Sequence, residues 1–591
     1  MSAYERYSEW LASPDVDDKT KQELLDVKDN MNDLIDRFYT ELEFGTAGLR
    51  GVLGAGDNRM NIYVVRKATE GVARWLDETV EHEKKVVIAY DSRHMSNIFA
   101  KETACVLAAH GVKVFLFETL HSVPQLSFSV RYLGCDAGVV ITASHNPPKY
   151  NGYKVYGRDG GQVDPDNAAA ITAKIRESED FRTAYMDFDE AVATGAITLI
   201  GEAVDRAYYD AVKTLLNNPE LLREKGGELS MVYTPLHGSG MVPVTTLLGE
   251  IGITKLTVVP SQAQPDGDFP TVSAPNPENP EAFEKAIVLA NRVRADVILA
   301  TDPDSDRLGV AARKRDGSFA ILTGNQIGSI LVHYILSAKR DRGELPKDGL
   351  VVRSLVSTRL ADNICKAFGV QMREVMTGFR FISECIEECE RNGTPTFLFG
   401  FEESYGFLAG GFSRDKDAIS SAMLIAEACC VYRQRGMTLY DALEEIYREY
   451  GYYKEKVKSY TLEGKAGTER ITETMDKLRA QQMSMLGGSR ITKIEDFRAN
   501  APEGMPKSNV LRYTLDKGGS IVVRPSGTEP KLKLYISAVA NSEQAVDTIL
   551  DEIMQDADHV LGIWLYGGAA PKTKFRHKSE GSVKGEGLYF D

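Results

Sequence analysis

The feature that most limits what this chain can fold into is a threefold internal repeat, and repeats settle an architecture before any single motif is read. Three stretches open on an apolar, strand-like run: KVVIAYDSR around Val86, LSMVYTPLHGSG around Met231 and GLVVRSLVST around Val351. Each is followed by a Gly and a second strand-like run, in HGVKVFLFE (Gly111), IGITKLTVV (Gly252) and FGVQMREVM (Gly369). A Gly there suits the left-handed residue that ends a helix before a strand. A third run then enters a polar loop: AGVVITASHNP ends near Ser144, ADVILATDPDSDR near Asp302 and TFLFGFEESYG near Glu402. The intervals leave room for helical crossovers, so each block reads as a βαβαβ unit. Three similar α/β domains are predicted. Ligand groups in open α/β sheets gather beyond the carboxyl ends of strands, where all three polar loops fall, so one shared cleft is expected.

At 591 residues the chain exceeds a single core, and roughly three to five domains are expected. After Gly451 helical patterns such as AGTERITETMDKLRAQQM lead to alternating strands, SNVLRYTLDKGGSIVVRPSGTEPKLKLYISAVA, and an amphipathic helix around EQAVDTILDEIMQ. A fourth, α+β domain accounts for this order. The expected limits are 1–202, 203–322, 323–451 and 452–591, with GGAAPKTKFRHKSEGSVKGEGLYFD read either as a flexible tail or as partly foreign to the natural chain.

A net charge of -15 opposes binding to nucleic acid and to anionic membranes. It also repels phosphorylated metabolites at long range, so a site for one must concentrate its own cations. The first residues contain no apolar signal core, and no run of eighteen apolar residues occurs. The seven cysteines lack CxxC spacing; Cys385 and Cys389, four apart, read as ordinary helix residues. A soluble, cytoplasmic protein without disulfides is expected.

Candidate chemistry sits in the loops. Thr142-Ala143-Ser144-His145-Asn146-Pro147 puts a hydroxyl beside an imidazole, with Lys154 further on, which suits an activated nucleophile or phosphate acceptor. A plain polar turn is the competing reading. Asp302, Asp304 and Asp306 alternate with Pro303 and Ser305, and an extended backbone would turn all three carboxylates to one side. Three anions there call for a hard cation such as Mg²⁺ rather than zinc. Arg307 and Arg313 occupy the places where an EF-hand needs Gly and Glu, which excludes that motif. Gly400-Phe401-Glu402-Glu403-Ser404-Tyr405-Gly406 offers carboxylates and a hydroxyl for sugar hydroxyls, or else a solvated acidic turn. Arg524-Pro525-Ser526-Gly527-Thr528-Glu529-Pro530-Lys531 combines a guanidinium, hydroxyls and a free backbone, a set suited to phosphate, and a simple turn is the alternative. Phe44-Gly45-Thr46-Ala47-Gly48-Leu49-Arg50-Gly51 matches neither nucleotide-loop spacing, so nucleotide binding has no support.

Together, GTAGLRG, TASHNP, DPDSDR, GFEESYG and RPSGTEP, in this order, resemble the α-D-phosphohexomutase superfamily, and FGTAGLRGVLGAGDNRMN resembles its phosphoglucomutase/phosphopentomutase branch. The resemblance spans nearly the whole chain. It implies three similar α/β domains with mixed sheets plus a C-terminal α+β domain, arranged around a central cleft. It also implies an intramolecular phosphotransferase of the isomerase class that interconverts glucose 1-phosphate and glucose 6-phosphate, with Mg²⁺ as cofactor and glucose 1,6-bisphosphate as activator and intermediate. Ser144 would be the phosphoserine and, with Asp302, Asp304 and Asp306, a metal ligand. His145, Lys154 and Arg50 would belong to the reacting end. Arg307, Arg380, Glu402 and Ser404 would bind substrate, and Arg524, Ser526, Gly527 and Thr528 the phosphate that is not reacting. The superfamily's TGxK segment is Thr377-Gly378-Phe379-Arg380 here. Arginine keeps the charge but does not readily yield a proton, so Arg380 is expected to bind phosphate and not to transfer a proton.

Such an enzyme works mainly by positioning and charge neutralisation. A phosphopentomutase or phosphomannomutase of the same fold is the nearest alternative. A non-catalytic sugar-phosphate binder is disfavoured by the intact Ser144, Lys154 and Asp triplet, and a phosphatase is a third alternative. The partners expected are small sugar phosphates, with neither nucleic acid nor membrane.

Overall fold

The structure, a computed structural model, describes residues 2–45, 48–462, 464–481, 483–526 and 531–566. Thr46 and Ala47 of the N-terminal Gly-rich loop, Gly527 and Thr528 of the RPSGTEP loop, and the C-terminal Gly- and Lys-rich stretch lie outside these residues. The chain divides into two compact units, Met1–Gly451 and Tyr452–Asp591.

The first unit holds the three repeats. Its first sheet is built from β1 (Leu49–Val52), β2 (Lys85–Tyr90), β3 (Lys113–Phe117), β4 (Ala137–Ile141), β5 (Tyr150–Gly157) and β6 (Ile197–Ile200), in the order β1-β5-β4-β2-β3-β6. β2 runs parallel to β3 and β4, whereas β5 returns antiparallel beside β4. The apolar run of β2 is continuous because both faces are covered. Val86 and Ile88 pack with Val72, Leu76 and Phe99 from the helices Ile62–Thr79 and Ser96–Ala109. Val87 and Ala89 point the other way, into Leu126 and Val130 of the helix Val123–Tyr132. Each such fully buried aliphatic side chain contributes about 1.5–3 kcal/mol.

The second sheet contains β7 (Ser230–Thr234), β8 (Lys255–Val258), β9 (Val297–Thr301), β10 (Leu308–Arg313) and β11 (Phe319–Leu322), ordered β11-β10-β9-β7-β8. The third contains β12 (Gly349–Ser354), β13 (Gln371–Val375), β14 (Thr396–Glu402) and β15 (Gly406–Ala409), ordered β13-β12-β14-β15. In every repeat the first strand lies between the second and the third, and an antiparallel strand follows the third. The expected mixed sheets are therefore present. Each polar loop is the connection from a third strand to its antiparallel return, which places all three at the carboxyl ends of parallel strands. Gly111, Gly252 and Gly369 have φ of +71°, +102° and +69°, the left-handed exits that the sequence calls for.

Three short N-terminal helices, Ala3–Ala12, Asp18–Asp26 and Met31–Phe38, were not apparent from periodicity. They close around Trp10, which packs with Phe38 and Tyr63 and donates from Nε1 to Asp57 Oδ1 at 3.0 Å.

The second unit is an antiparallel sheet of β16 (Tyr452–Thr461), β17 (Met485–Leu486), β18 (Ser489–Asp496), β19 (Leu511–Leu515), β20 (Ser520–Pro525) and β21 (Lys531–Ala540), ordered β16-β21-β20-β19-β18-β17. The helices Gly464–Ala480 and Glu543–Tyr566 supply Met475, Leu478, Val546 and Leu550 to its core. β16 is an edge strand whose alternating Lys454, Lys456 and Lys458 pair with Asp547, Asp551 and Asp558 of the last helix. Charged side chains along an edge blunt its tendency to pair with another chain. No described helix is long and apolar enough to cross a membrane.

Candidate active site

The site is assembled by the first unit. β4 delivers the chain into a tight turn in which the Ser144 N–H donates to Thr142 Oγ1 at 2.8 Å and Ser144 adopts φ +51°. The turn reading of this loop is correct in shape, but the turn is buried, with Ser144 3% exposed. Ser144 Oγ donates to Asp302 Oδ2 at 2.8 Å and lies 3.1 Å from His145 Nδ1. Burial, and after it the charges of Arg307 and Arg50, hold the His145 imidazole well below its ordinary pKa and therefore neutral. Arg50, on β1 opposite Gly152 of β5, donates from Nη1 to Asn146 Oδ1 at 3.1 Å.

Asp302, Asp304 and Asp306 do converge, but not on an extended backbone. β9 ends at Thr301, the Ser305 N–H donates back to the Asp302 carbonyl at 3.0 Å, and Ser305 has φ +54°. A strand rises about 3.3 Å per residue, which would hold alternate side chains about 6.6 Å apart. The turn instead brings one oxygen from each carboxylate within 4.8 Å of the others. Lys154 Nζ reaches Asp304 Oδ2 at 3.0 Å, Thr142 Oγ1 reaches the same atom at 3.2 Å, and Lys416 Nζ reaches Asp306 Oδ2 at 3.1 Å. Asp302 Oδ1 accepts from the Arg307 N–H at 3.0 Å.

Burial, followed by the charges of its neighbours, pushes Asp302 well above the usual carboxylate range, and burial followed by Asp304 raises Asp306. Burial acts on Asp304 in the same sense, but Lys154, a hydrogen bond shared with Asp302 and the Lys416 charge together outweigh it and leave this carboxyl below its ordinary value. Asp304 Oδ1 and Asp306 Oδ1 are buried with no hydrogen-bond partner. Two orphaned carboxylate oxygens in an all-oxygen cluster fit a hard divalent cation, since burying such atoms unpaired is costly.

The third loop joins the second directly. The Leu308 N–H donates to the Tyr405 carbonyl at 3.0 Å, and Arg307 bridges to Gly406. A Cβ on Gly406 would lie 2.3 Å from Lys416 Cδ, so a larger residue there would displace the side chain that reaches Asp306. Glu402, at the end of β14, accepts the Gly378 N–H at 2.7 Å, which ties it to the segment carrying Arg380. Arg380 stands over the Phe381 ring at 4.3 Å with a buried, unpartnered Nη1. Glu403 accepts from Ser354 Oγ at 3.0 Å; burial and then the Glu402 charge raise it to about 7. Ser404 lies half-buried on the turn. Neither Glu is the solvated surface carboxylate of the competing reading.

The three loops thus bring together Ser144, His145, Lys154, Asp302, Asp304, Asp306, Arg307 and Glu402. Arg524 and Ser526 lie on the second unit, where Arg524 pairs with Lys533 and the Ser526 N–H donates to the Lys531 carbonyl at 2.7 Å. Gly527 and Thr528 fall outside the described residues.

Sequence reasoning missed Lys416 and Asp415, in SRDKDAIS, because a short run of alternating charge usually marks a solvated face. Here Asp415 is buried, with Oδ1 taking Lys416 Nζ at 2.8 Å and Oδ2 taking Tyr156 OH and Gln162 Nε2, both at 2.9 Å. Glu278, which pairs with Arg307, was missed as well, since nothing in PNPENP announces a partner for a distant arginine.

Profiles described as phosphoglucomutase/phosphomannomutase alpha/beta/alpha domains I, II and III match residues 41–182, 206–317 and 323–450, and the C-terminal domain of the same family matches 488–555. A phosphoglucomutase of Staphylococcus haemolyticus is 38% identical over 533 residues, covering 88% of this chain and 95% of the relative. One from Staphylococcus epidermidis is 39% identical over 509 residues, covering 84% and 91%. Among solved structures, the open form of the Paramecium phosphoglucomutase parafusin shares the fold with a TM-score of 0.68 at 16% identity, over 90% of this chain and 98% of that one. A putative phosphomannomutase from Thermus thermophilus does so with a TM-score of 0.67 at 22% identity, over 88% and 99%. Matched over all four domains and along most of its length, the chain belongs to the phosphoglucomutase/phosphomannomutase family.

Proposed function

We propose that the protein interconverts glucose 1-phosphate and glucose 6-phosphate through phosphorylated Ser144 and a glucose 1,6-bisphosphate intermediate. The observation that carries this reading is the buried Ser144 hydroxyl, 2.8 Å from Asp302 and beside a neutral imidazole, at the rim of a carboxylate cluster. The staphylococcal relatives are phosphoglucomutases, which favours glucose phosphates over pentose or mannose phosphates. The chain is a phosphohexomutase of the isomerase class.

In the forward half-reaction a free sugar hydroxyl attacks the phosphorus on Ser144, its O–H bond breaks, the P–Oγ bond breaks, and Oγ takes up a proton. His145 Nδ1 is placed to hold the proton exchanged at Oγ. Lys154, anchored to Asp304, and Arg50 offset the charge of the transferring group. Asp302, Asp304 and Asp306, with a Ser144 oxygen, would hold Mg²⁺, which when bound supplies Lewis-acid neutralisation of that group. Glu402 and Ser404 hold sugar hydroxyls, and Arg307 and Arg380 hold substrate phosphate. Arg524, Ser526, Gly527 and Thr528 grip the phosphate that is not reacting. The bisphosphate then turns end over end and returns its other phosphate to Ser144, so one distal grip serves both orientations.

The domain limits that accompany this reading are 1–202, 203–322, 323–451 and 452–591. A reducing cytoplasm is the proposed location, in keeping with seven buried, unpaired cysteines. Coupled assays on glucose 1-phosphate, ribose 1-phosphate and mannose 1-phosphate, side by side, test the proposal. Turnover of glucose 1-phosphate below that of both others would overturn the sugar assignment. Absence of a phosphate-sized mass adduct on Ser144 in active enzyme would overturn the mechanism.

A further inference from the structure

Each repeat carries a second loop, at the end of its first strand, and in all three repeats that loop braces the polar loop of the third strand. In the second repeat the Ser239 N–H and Oγ both donate to the Pro303 carbonyl at 2.8 Å. In the third, Ser354 Oγ donates to Glu403. In the first repeat the brace is a single arginine from YDSR. The Arg93 side chain is 0% exposed. Its Nη1 donates to the carbonyls of Pro147 and Tyr150 at 3.0 and 3.1 Å, and its Nη2 donates to those of Ser144 and Asn146.

The backbone from Ser144 to Tyr150 therefore wraps around one guanidinium. Asp91 fixes the base of that arginine, accepting the Arg93 N–H at 2.9 Å and Ser96 Oγ at 2.8 Å through one oxygen. Phe269, a buried residue of the second repeat, lies under the guanidinium at 5.0 Å. A serine in the left-handed region persists only where its surroundings over-determine it. Four carbonyls converging on a planar, five-donor cation provide that constraint, and a lysine, which donates from a single point, cannot reproduce it.

We infer that Arg93 is a positioning residue for phosphoryl transfer: it touches no reacting atom but fixes the turn that aims Ser144 Oγ at Asp302. This rests on the reading of Ser144 as the phosphoryl carrier.

The test uses Arg93→Ala and Arg93→Lys in the full chain, with Ser144→Ala alongside. Three measurements are made: thermal melting, hydrogen–deuterium exchange of the peptide spanning 142–151, and kinetics on glucose 1-phosphate with added glucose 1,6-bisphosphate. Both arginine variants should melt cooperatively and exchange faster within 142–151 but not within 85–90. For Arg93→Ala, kcat should fall by about 100-fold, as expected when a reacting group is displaced by about 1 Å, with KM changed by less than about threefold. Arg93→Lys should fall between alanine and wild type, and millimolar guanidinium should restore part of the kcat of Arg93→Ala but none in Ser144→Ala. Wild-type kcat in Arg93→Lys, or unchanged exchange at 142–151 in Arg93→Ala, overturns the inference. If neither variant folds, Arg93 holds the whole domain and the positioning role is wrong. An active Ser144→Ala would instead sink the parent mechanism, while the exchange data would still report what Arg93 grips.

Discussion

Ser144 and Arg524 both stand at or just beyond the end of a strand and both are proposed to handle phosphate, yet their described surroundings differ. Around Ser144, groups from all three sheets of the first unit meet: Asp302 and Asp304 from the second, Lys416 from beyond β15 of the third, and Lys154 and Arg93 from the first. Asp302, Asp304, Lys154 and Arg93 are buried and Lys416 is partly buried, and each is held by a polar partner. Arg524, by contrast, lies near the end of β20, in register with Lys533 of β21, its neighbour both in sequence and in the sheet. The contrast separates two tasks. Transfer demands groups held within a fraction of an ångström in a site that excludes water, and that takes long-range packing. Gripping a phosphate that does not react demands only a cation and donors at the right spacing.

Substitutions at the two loops should therefore differ in size. Ser144→Ala removes the proposed carrier atom while leaving the turn's backbone intact, so turnover should drop by at least about 10⁴-fold with the melting temperature close to wild type. Steady-state assay together with intact mass checks this, and near-normal turnover would refute the Ser144 role. Next comes the carboxylate cluster. Asp304→Asn should weaken Mg²⁺ binding by at least about 100-fold, the upper range seen when only a group hydrogen-bonded to a metal ligand is changed, and EDTA should stop the wild type until Mg²⁺ is returned. Full activity in metal-free buffer would break the assignment.

The Arg524 loop should give a smaller effect. Arg524→Ala should cost about 2–4 kcal/mol of transition-state stabilisation, with both kcat and KM affected, and Arg524→Lys should recover only part of it. If wild type and both variants agree within error while Ser144→Ala is inactive, the distal phosphate is held elsewhere.

The smallest effect concerns the stability given up to build the first site. Glu403 is raised to about 7 by burial and then by Glu402. A carboxyl raised on folding binds more protons in the native state, so its contribution is favourable below the unfolded value of about 4.3 and is lost as pH rises to about 7. Glu403→Gln should therefore stabilise the protein by about 1–3 kcal/mol at pH 8, with the advantage shrinking toward pH 4.5. Melting curves across that range test it, and a pH-independent difference would show that the carboxylate is not the source.

Much of this protein was legible because its signals are local. Apolar runs, glycines at helix exits and turn-forming loops repeat three times, and nearest-neighbour sterics and strand periodicity are enough to place β2, β7 and β12 and to put Ser144, Asp302 and Glu402 at strand ends. Spacing misled where it stood in for geometry: the alternation of Asp302, Asp304 and Asp306 suggested an extended backbone, and a left-handed Ser305 gathers them instead. It was silent on the N-terminal helices around Trp10, on the edge strand β16, and on Lys416, Asp415, Glu278 and Arg93. The residue types, their order and the elements that carry them follow from the sequence alone. Which charges may be buried follows only from the tertiary structure, because an ion is tolerable in the interior when a partner lies about 3 Å away. Lys416 finds Asp306 and Arg93 finds four carbonyls only after chain segments far apart in sequence have packed together.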